Sequence, residues 1–408
     1  MLTGRLDLDH RWTHLVPLLA ALSLGACGDD GGGEGAGSTG DGSTSDATAD
    51  PTTNDPSVGT TSSGTTADDT TGVADSSGGE SSSEGGESSS EGGSSSSGGE
   101  VEVCAPELGL YADADCEVLA EDVWYFEPEY KLWSDGLVKF RYVYLPDTID
   151  SSDANYWSFP VGTVFWKHFE TEAGMRLETR RYEKVADDVG PNAWVFETYE
   201  WNESGDAVTA VAGGSENVLG TDHDIPAIAD CSECHNGGQG GMGGGAATHD
   251  IVLGFSAMQL NHADTEVTLT SLMDDDLLSS PIAVADAEVP GDATAEAALG
   301  YMHANCGHCH GGDNPSGGMR LFVELGLDNV TDAYAYTDTV DVAIGMSPVV
   351  GIPDWRILPG DPDNSAVLWR MEQRDGGGMG AAQMPPLATE MVDDDGVAAV
   401  EAWILSLD

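Results

Sequence analysis

The chain is short of basic residues, and this shortage limits the partners it can bind. Lys and Arg number 14 against 72 Asp and Glu, which gives a formal net charge of −58. Proteins that bind nucleic acid neutralise phosphates with clustered Lys and Arg. No basic patch of that kind occurs, so we expect no nucleic-acid partner. The acidic surplus can attract basic partner proteins, or it can serve solubility alone.

Long hydrophobic runs are also lacking. The apolar stretch from Leu15 to Leu24 is too short to span a bilayer. Arg5 and Arg11 precede it and Gly25-Ala26-Cys27 follows it, which is typical of a lipoprotein signal peptide. We therefore expect residues 1–27 to direct export, with lipid on Cys27 anchoring the mature chain to a membrane. The expected location is the periplasmic face of a membrane or the cell surface and outer membrane; an ordinary secretory signal is the alternative.

Residues 28–100 contain almost no aromatic or branched apolar side chains. They are dominated by Gly, Ser, Thr, Asp and Glu, and the repeat Gly78 to Glu84 recurs as Gly85 to Glu91. Such a segment cannot bury enough apolar surface to offset the entropy of ordering the chain. The sequence therefore predicts a disordered acidic tether between the anchor and the rest of the protein.

Cysteine is scarce, and most of it lies in two copies of one motif. Of seven cysteines, four belong to Cys-x-x-Cys-His motifs, at Cys231 to His235 and at Cys306 to His310. In an exported protein this motif is typical of covalent c-type haem, with thioethers from Cys231, Cys234, Cys306 and Cys309 and with iron ligands from His235 and His310. A redox disulfide or a Cys-rich zinc cluster is the alternative.

Two cysteines outside these motifs, Cys104 and Cys116, are predicted to form a disulfide. With Cys27 assigned to lipid, they are the remaining pair in an oxidising compartment. Closing so short a loop contributes about 3 kcal/mol by the chain-entropy estimate. A reactive or metal-binding pair is less favoured, because no His lies beside either residue.

Residues 101–265 alternate apolar and polar side chains in the way that strands do. The segments are 139–145, 164–169, 175–182 and 194–201, separated by Gly, Pro, Asn and Asp turns. We expect an antiparallel β-rich, sandwich-like domain that carries the first motif. A Gly-rich loop, Gly237 to Gly245, follows that motif and could lie against a haem. A second axial ligand there could be Met242, His249, Met258 or His262, with His249 or Met258 favoured, or the position could be open.

Residues 290–408 are predicted to be helical. Thr294 to His303 has a helical pattern that leads directly into the second motif, with Thr294 as a plausible N-cap. An acidic start and apolar periodicity predict a last helix over 393–407. His303 and His308 are interpreted as surface or propionate-side residues rather than ligands. The expected fold class is therefore α+β and multidomain, with a β-rich domain followed by an all-α domain.

Several further motifs resemble a family of bacterial diheme c-type cytochromes of uncharacterised function. They are Lys131 to Gly136, Phe159 to Val164, Glu178 to Arg180, Asp230 to His235, Leu253 to Phe255, Gln259 to Asn261 and Asn305 to His310. The resemblance covers about 300 residues, nearly everything after the tether. It implies an exported β-rich domain joined to a cytochrome c domain, sometimes found alongside quinoprotein sugar dehydrogenase modules. The tether and the Gly-rich loop depart from this pattern.

The C-terminal part separately resembles class I cytochromes c. In that family a Met in a Pro-rich loop supplies the second axial ligand, and Gln383-Met384-Pro385-Pro386 matches this pattern. The resemblance implies Met384 as a ligand opposite His310. Met346, Met371, Met379 and Met391 compete with it, but none has the Pro-Pro context.

Together these observations predict an electron carrier with two covalent c-type haems. Its expected partners are redox proteins, such as a quinoprotein dehydrogenase or another cytochrome, and the membrane that holds its lipid. Two alternatives stay open. The first haem could have an open coordination position and act as a peroxidase-like enzyme, or the cysteines could bind zinc in a surface module.

Overall fold

In the computed structural model, the described residues are 103–235, 249–312, 315–345, 347–376, 381–387 and 389–407. The predicted signal, the lipid-bearing Cys27 and the tether lie outside these ranges. The described residues belong to one compact unit. None of the helices described has the length and apolar character needed to cross a bilayer.

The first part of the unit is an antiparallel sheet of six strands in sequential order. Its strands are β1 (Val123–Phe126), β2 (Val138–Tyr144), β3 (Val164–Glu170), β4 (Arg176–Lys184), β5 (Trp194–Trp201) and β6 (Val208–Ala210). Alternating side chains favour strands because successive residues point to opposite faces, and β-branched and aromatic residues pack well there. The predicted antiparallel sheet and the mixed α+β class are confirmed.

One face of the sheet is covered by the segment that precedes β1. Cys104 and Cys116 form a disulfide, with Cα atoms 5.3 Å apart. Leu108, Leu110 and the disulfide pack with Trp166 and Trp201 in one apolar cluster. The indole Nε1 of Trp166 donates to the Leu108 carbonyl at 2.8 Å, which fixes this segment to β3.

The opposite face is covered by loops and a short helix rather than by a second sheet. Phe255 packs at 4.9 Å from Phe126 and 5.1 Å from Phe165, measured between ring centroids. Helix α2 (Leu269–Asp274) and its neighbours close the same core. The sandwich expectation was wrong for the described residues, because they contain one sheet. Alternation reports that a face is buried, but not whether a sheet or a loop buries it.

Helices are the regular elements of the second part, and long loops join them. They are α3 (Ala293–Asn305), α4 (Tyr334–Thr337), α5 (Ala366–Met371) and α6 (Asp394–Ser406), while α1 (Cys231–Cys234) is the single turn at the first motif. Helix α3 is capped by Asp292, whose carboxylate accepts from Thr294 N and Ala295 N, so the prediction of Thr294 as N-cap was wrong. Asp393 caps α6 by accepting from Gly396 N, as its acidic start indicates.

Helices α3 and α6 pack against each other and form the second core. Leu299 and Met302 of α3 share this core with Val400 and Trp403 of α6. A Cβ atom on Gly396 would lie 2.2 Å from the Tyr301 ring, so only glycine permits this close approach.

Asn305, at the end of α3, joins the two parts. Its side chain accepts from Trp133 N at 2.7 Å and donates to Lys131 O at 3.1 Å. The second motif is therefore held directly against the loop that precedes β2.

Candidate functional site

Each Cys-x-x-Cys-His motif forms a single helical turn that ends at its histidine. In the first motif, His235 N donates to Cys231 O at 3.0 Å. In the second, His310 N donates to Cys306 O at 2.8 Å. Such a turn brings both cysteines and the histidine of a motif to neighbouring positions.

The two motif histidines have the same hydrogen-bonding arrangement. Nδ1 of His235 lies 2.8 Å from Ile251 O, and Nδ1 of His310 lies 3.2 Å from Met319 O. A carbonyl oxygen can only accept, so Nδ1 carries the proton in both rings and Nε2 keeps its lone pair. A backbone carbonyl in this position orients a histidine that binds a metal through its other nitrogen.

Burial keeps both imidazoles neutral. Burial, together with smaller contributions from His308 and Arg370, lowers the pKa of His310 to about 4. Burial also lowers the pKa of His235. A neutral imidazole with a free Nε2 lone pair is the form that coordinates iron or zinc.

The first motif lies against aromatic side chains of the sheet. The His235 ring is 5.5 Å from Tyr182 on β4 and 5.3 Å from Phe196 on β5, between centroids. The sheet therefore supports one side of the first motif.

The two motifs meet at their second cysteines. One ligand atom from each of Cys234, His308 and Cys309 lies within 4.8 Å of the others. The Cys309 thiol also points to the Glu233 carbonyl, at 3.3 Å. The hydrogen bond between the two cysteine side chains lowers the pKa of Cys234 and raises the pKa of Cys309. The sequence did not predict this meeting, because the motifs are far apart along the chain.

The structure corrects the surface interpretation of the two histidines near the second motif. His303 is 8% exposed, its Nδ1 accepts from Val323 N at 3.2 Å, and its ring packs 4.7 Å from Phe322. His308 is half-buried and lies beside Cys234 and Cys309. His303 is therefore a core residue, and His308 belongs to the junction between the motifs.

Met384 lies in a loop that α5 fastens. Met384 N donates to Arg370 O at 3.0 Å, and the Arg370 guanidinium donates to Ala381 O and Ala382 O at 2.8 and 2.9 Å. The same Arg370 is close enough to His310 to affect its pKa. The Met384 loop is thus attached to the helix whose arginine lies near the second motif.

The competing methionines occupy other environments. Met371 is 5% exposed in the second core, whereas Met391 is 49% exposed. Met346 and Met379 lie outside the described residues.

The candidates for a second ligand at the first motif also lie in different environments. Met258 is 1% exposed within the second core. His262 places Nε2 at 2.8 Å from Glu127 O and accepts from Asp264 N through Nδ1, so both of its nitrogens serve the fold. Met242 lies outside the described residues. His249 is buried and stacks on Tyr156, with ring centroids 3.8 Å apart.

Tyr156 extends this stack towards the second motif. Its ring lies 5.2 Å from Phe322, and Phe322 N donates to His310 O at 3.3 Å. His249 is two residues from Ile251, which orients His235. Aromatic side chains therefore lie between the segments that position the two motif histidines.

Sequence reasoning did not identify the carbonyls of Ile251 and Met319, since every residue has a carbonyl. It also missed a concentration of positive charge. Seven of the chain's 14 basic residues lie in β2, β3 and β4: Lys139, Arg141, Lys167, Arg176, Arg180, Arg181 and Lys184. Their clustering in an acidic chain was visible in the sequence.

Comparison with known proteins found no matching family model, no matching curated protein and no matching solved structure.

Proposed function

We propose that this protein is an exported, lipid-anchored c-type cytochrome that binds two haems covalently and carries electrons between redox proteins. Lipid on Cys27 and the acidic tether over 28–100 belong to the same proposal. A surface so rich in carboxylates favours association with basic partner surfaces.

The shared arrangement of His235 and His310 carries the proposal. Both histidines follow a Cys-x-x-Cys turn, both donate Nδ1–H to a backbone carbonyl, and both keep Nε2 as a lone-pair donor. An isolated coincidence of sequence would not orient two half-buried imidazoles in the same way. The donor set fits two haems, each with two thioether positions and one imidazole.

Each part of the chain then has a specific task. Cys231 and Cys234 would hold the first haem and His235 would bind its iron. In the second site, Cys306 and Cys309 would hold the haem, and His310 and Met384 would bind its iron. A bound haem supplies an iron that alternates between Fe(III) and Fe(II), at a potential that a Met ligand raises.

The packing of α3 against α6 supports a cytochrome c-like second domain. The motif follows directly from α3, and the Tyr301 ring closes over Gly396 of α6. Asn305 additionally fastens the end of α3 to the sheet-bearing part through Trp133. The second haem would thus be attached to a rigid element.

A zinc site is the second candidate, and the proximity of Cys234, His308 and Cys309 favours it. Structural zinc is almost always bound by four ligands. The cluster that the described residues form has three, and it includes neither Cys231, Cys306 nor the oriented histidines. Haem accounts for all six motif residues, so it is the better assignment.

Intact mass and metal content distinguish these candidates. The full chain should be expressed with a c-type haem maturation system, and its denatured mass and zinc content measured. The proposal predicts the mass of the mature, lipid-bearing chain plus two haems, with no zinc bound. The double variant Cys231→Ala/Cys234→Ala should retain one haem. A mass without haem, together with one zinc per chain, would establish the second candidate instead.

An optical redox titration then tests electron carriage against catalysis. An electron carrier should be reduced and reoxidised reversibly with low-spin spectra at both haems. A high-spin ferric haem that binds cyanide at one site would favour the peroxidase-like alternative.

A further inference from the structure

A row of three cations crosses the sheet beside the first motif. Arg141 on β2 pairs in register with Lys167 on β3, and Lys167 pairs with Arg180 on β4. Residues directly opposed on neighbouring strands point to the same face of a sheet. The three side chains therefore form one positively charged row.

This row borders the first motif. Tyr182 and Phe196 form the adjacent row on the same face. They oppose each other, and each lies two positions along its strand from the opposed pair Arg180 and Thr198. Their rings contact the ring of His235. The row of cations and the first motif thus occupy the same side of the sheet.

Two members of the row form no ion pair with a carboxylate of the described residues. Arg141 is 3% exposed, and its Nε and Nη2 atoms make no hydrogen bond. Lys167 takes part in none of the ion pairs or hydrogen bonds among the described residues, and its Nζ lies 4.7 Å from the centroid of the Phe169 ring. Arg180, in contrast, forms two hydrogen bonds with the Glu178 carboxylate, at 2.5 and 3.0 Å.

Two described carboxylates favour the charged forms of these cations without pairing with them, Glu127 for Arg141 and Glu178 for Lys167. Residues 236–248, which follow the first motif, contain neither Asp nor Glu. Burial lowers the pKa of Arg141 to about 10, and burial followed by repulsion from Arg141 and Arg180 lowers that of Lys167. Arg141 is buried and Lys167 is half-buried. Cations held away from water without an ion pair are costly, so these two adjacent side chains indicate a place for an anion.

We propose that Arg141 and Lys167 bind the two propionate carboxylates of the haem attached at Cys231 and Cys234. This inference rests on the proposed function, because it requires a haem at the first motif. The stoichiometry matches, with two carboxylates for two unpaired cations. The planar guanidinium of Arg141 can donate two parallel hydrogen bonds to one carboxylate. The ammonium group of Lys167 provides a compact positive charge for the other. Arg180 adds to the positive field while it stays bound to Glu178.

The same chemistry would attract a free oxyanion, such as phosphate, so the test must separate the two sources. The protein is the full chain carrying two haems. The variants are Arg141→Gln and Lys167→Gln, with Arg141→Lys as a variant that keeps the charge. Arg181→Gln is the matched control, because Arg181 lies on β4 but on the opposite face, paired with Glu183 and Glu197.

The measurements are covalent haem per chain, the reduction potential of each haem and the propionate bending bands in resonance Raman spectra. Arg141→Gln and Lys167→Gln should keep two haems, lower the potential of one haem and shift its propionate band. The potential falls because an uncompensated propionate stabilises Fe(III). Arg141→Lys should show a smaller fall in reduction potential than Arg141→Gln. Arg181→Gln should leave the reduction potentials and the propionate bands unchanged.

Unchanged potentials and bands in both Gln variants would overturn the assignment. Inorganic phosphate added to the wild type should leave the reduction potentials of both haems unchanged. A saturable shift that disappears in Arg141→Gln would assign the row to a free anion and overturn the propionate proposal. Wild-type protein with no haem at the first motif would reject the proposed function at that site, and this inference with it.

Discussion

Cys234 and Cys309 bring the two motifs together, with sulfur atoms within 4.8 Å of each other. Each sulfur is an attachment point in the proposed cytochrome. Two haems bound there would be attached at adjoining positions rather than at opposite ends of the molecule. Such an arrangement suits a protein that passes electrons between its own two centres.

The two ferric haems should therefore interact magnetically. The measurement is electron paramagnetic resonance of the oxidised wild type and of two single-haem variants, Cys231→Ala/Cys234→Ala and Cys306→Ala/Cys309→Ala. Unpaired spins held close together couple through their dipoles, so the wild-type spectrum should be broader than the sum of the variants. A spectrum equal to that sum would place the haems far apart.

Met384→Ala should lower the reduction potential of the haem at Cys306 and Cys309 without reducing covalent attachment. The reason is that a thioether ligand favours Fe(II) relative to the ligands that would replace it. Met391→Ala is the control, because Met391 lies in the following segment and is 49% exposed. An unchanged potential and spectrum in Met384→Ala would remove Met384 from the ligand set.

Asp250→Asn should destabilise the fold near the first motif. The buried Asp250 carboxylate accepts from Lys184 Nζ at 2.6 Å, and from Gly190 N and Trp194 Nε1 at 3.0 Å. Removing one partner of a buried ion pair costs about 3 to 5 kcal/mol, because the other charge stays uncompensated.

Urea unfolding measures this cost. The exposed Asp264 is the control, and Asp264→Asn should change the free energy of unfolding by less than about 0.5 kcal/mol. Adding Lys184→Met to Asp250→Asn should restore part of the loss, since it removes the stranded cation. Equal stability of Asp250→Asn and wild type would show that the pair is not formed.

Glu178 should make the protein sensitive to acid. Burial alone would raise the pKa of Glu178, but Arg180 and a hydrogen bond from His223 lower it below its ordinary value of 4.5. A carboxyl group with a lowered pKa in the folded state stabilises above its ordinary pKa. That contribution is lost as the pH falls from about 4.5 through the lowered value.

Urea unfolding between pH 7 and pH 3 tests this linkage. Glu178→Gln should be less stable than wild type at pH 7, and its stability should fall less steeply in acid. Glu183→Gln, on the same strand with a side chain that is 36% exposed, should keep the wild-type slope. An unchanged acid slope in Glu178→Gln would contradict the lowered pKa.

Local patterns predicted four of the six strands, β2 to β5, and the two long helices, because those patterns report nearby physical requirements. Lys139 to Leu145 alternates, and residues 138–144 form β2. The acidic residues before α6 indicate its start, and Asp393 caps it. Thr294 was a wrong choice of cap because Asp292, two residues earlier, has a carboxylate that reaches two backbone amides.

Features that depend on distant contacts could not be predicted in this way. The meeting of Cys234 with Cys309 requires the sheet-bearing part to pack against α3. The position of Arg141 in the row of cations depends on strand register, because a shift by one residue would move its side chain to the other face of the sheet. A sandwich was expected because alternation does not reveal what covers a buried face.

The most direct test of the central claim is a pyridine haemochrome assay on the full chain, expressed with c-type haem maturation. The account predicts two covalent haems per chain. One haem per chain would leave one motif without its proposed cofactor, and none would contradict the assignment of both motifs.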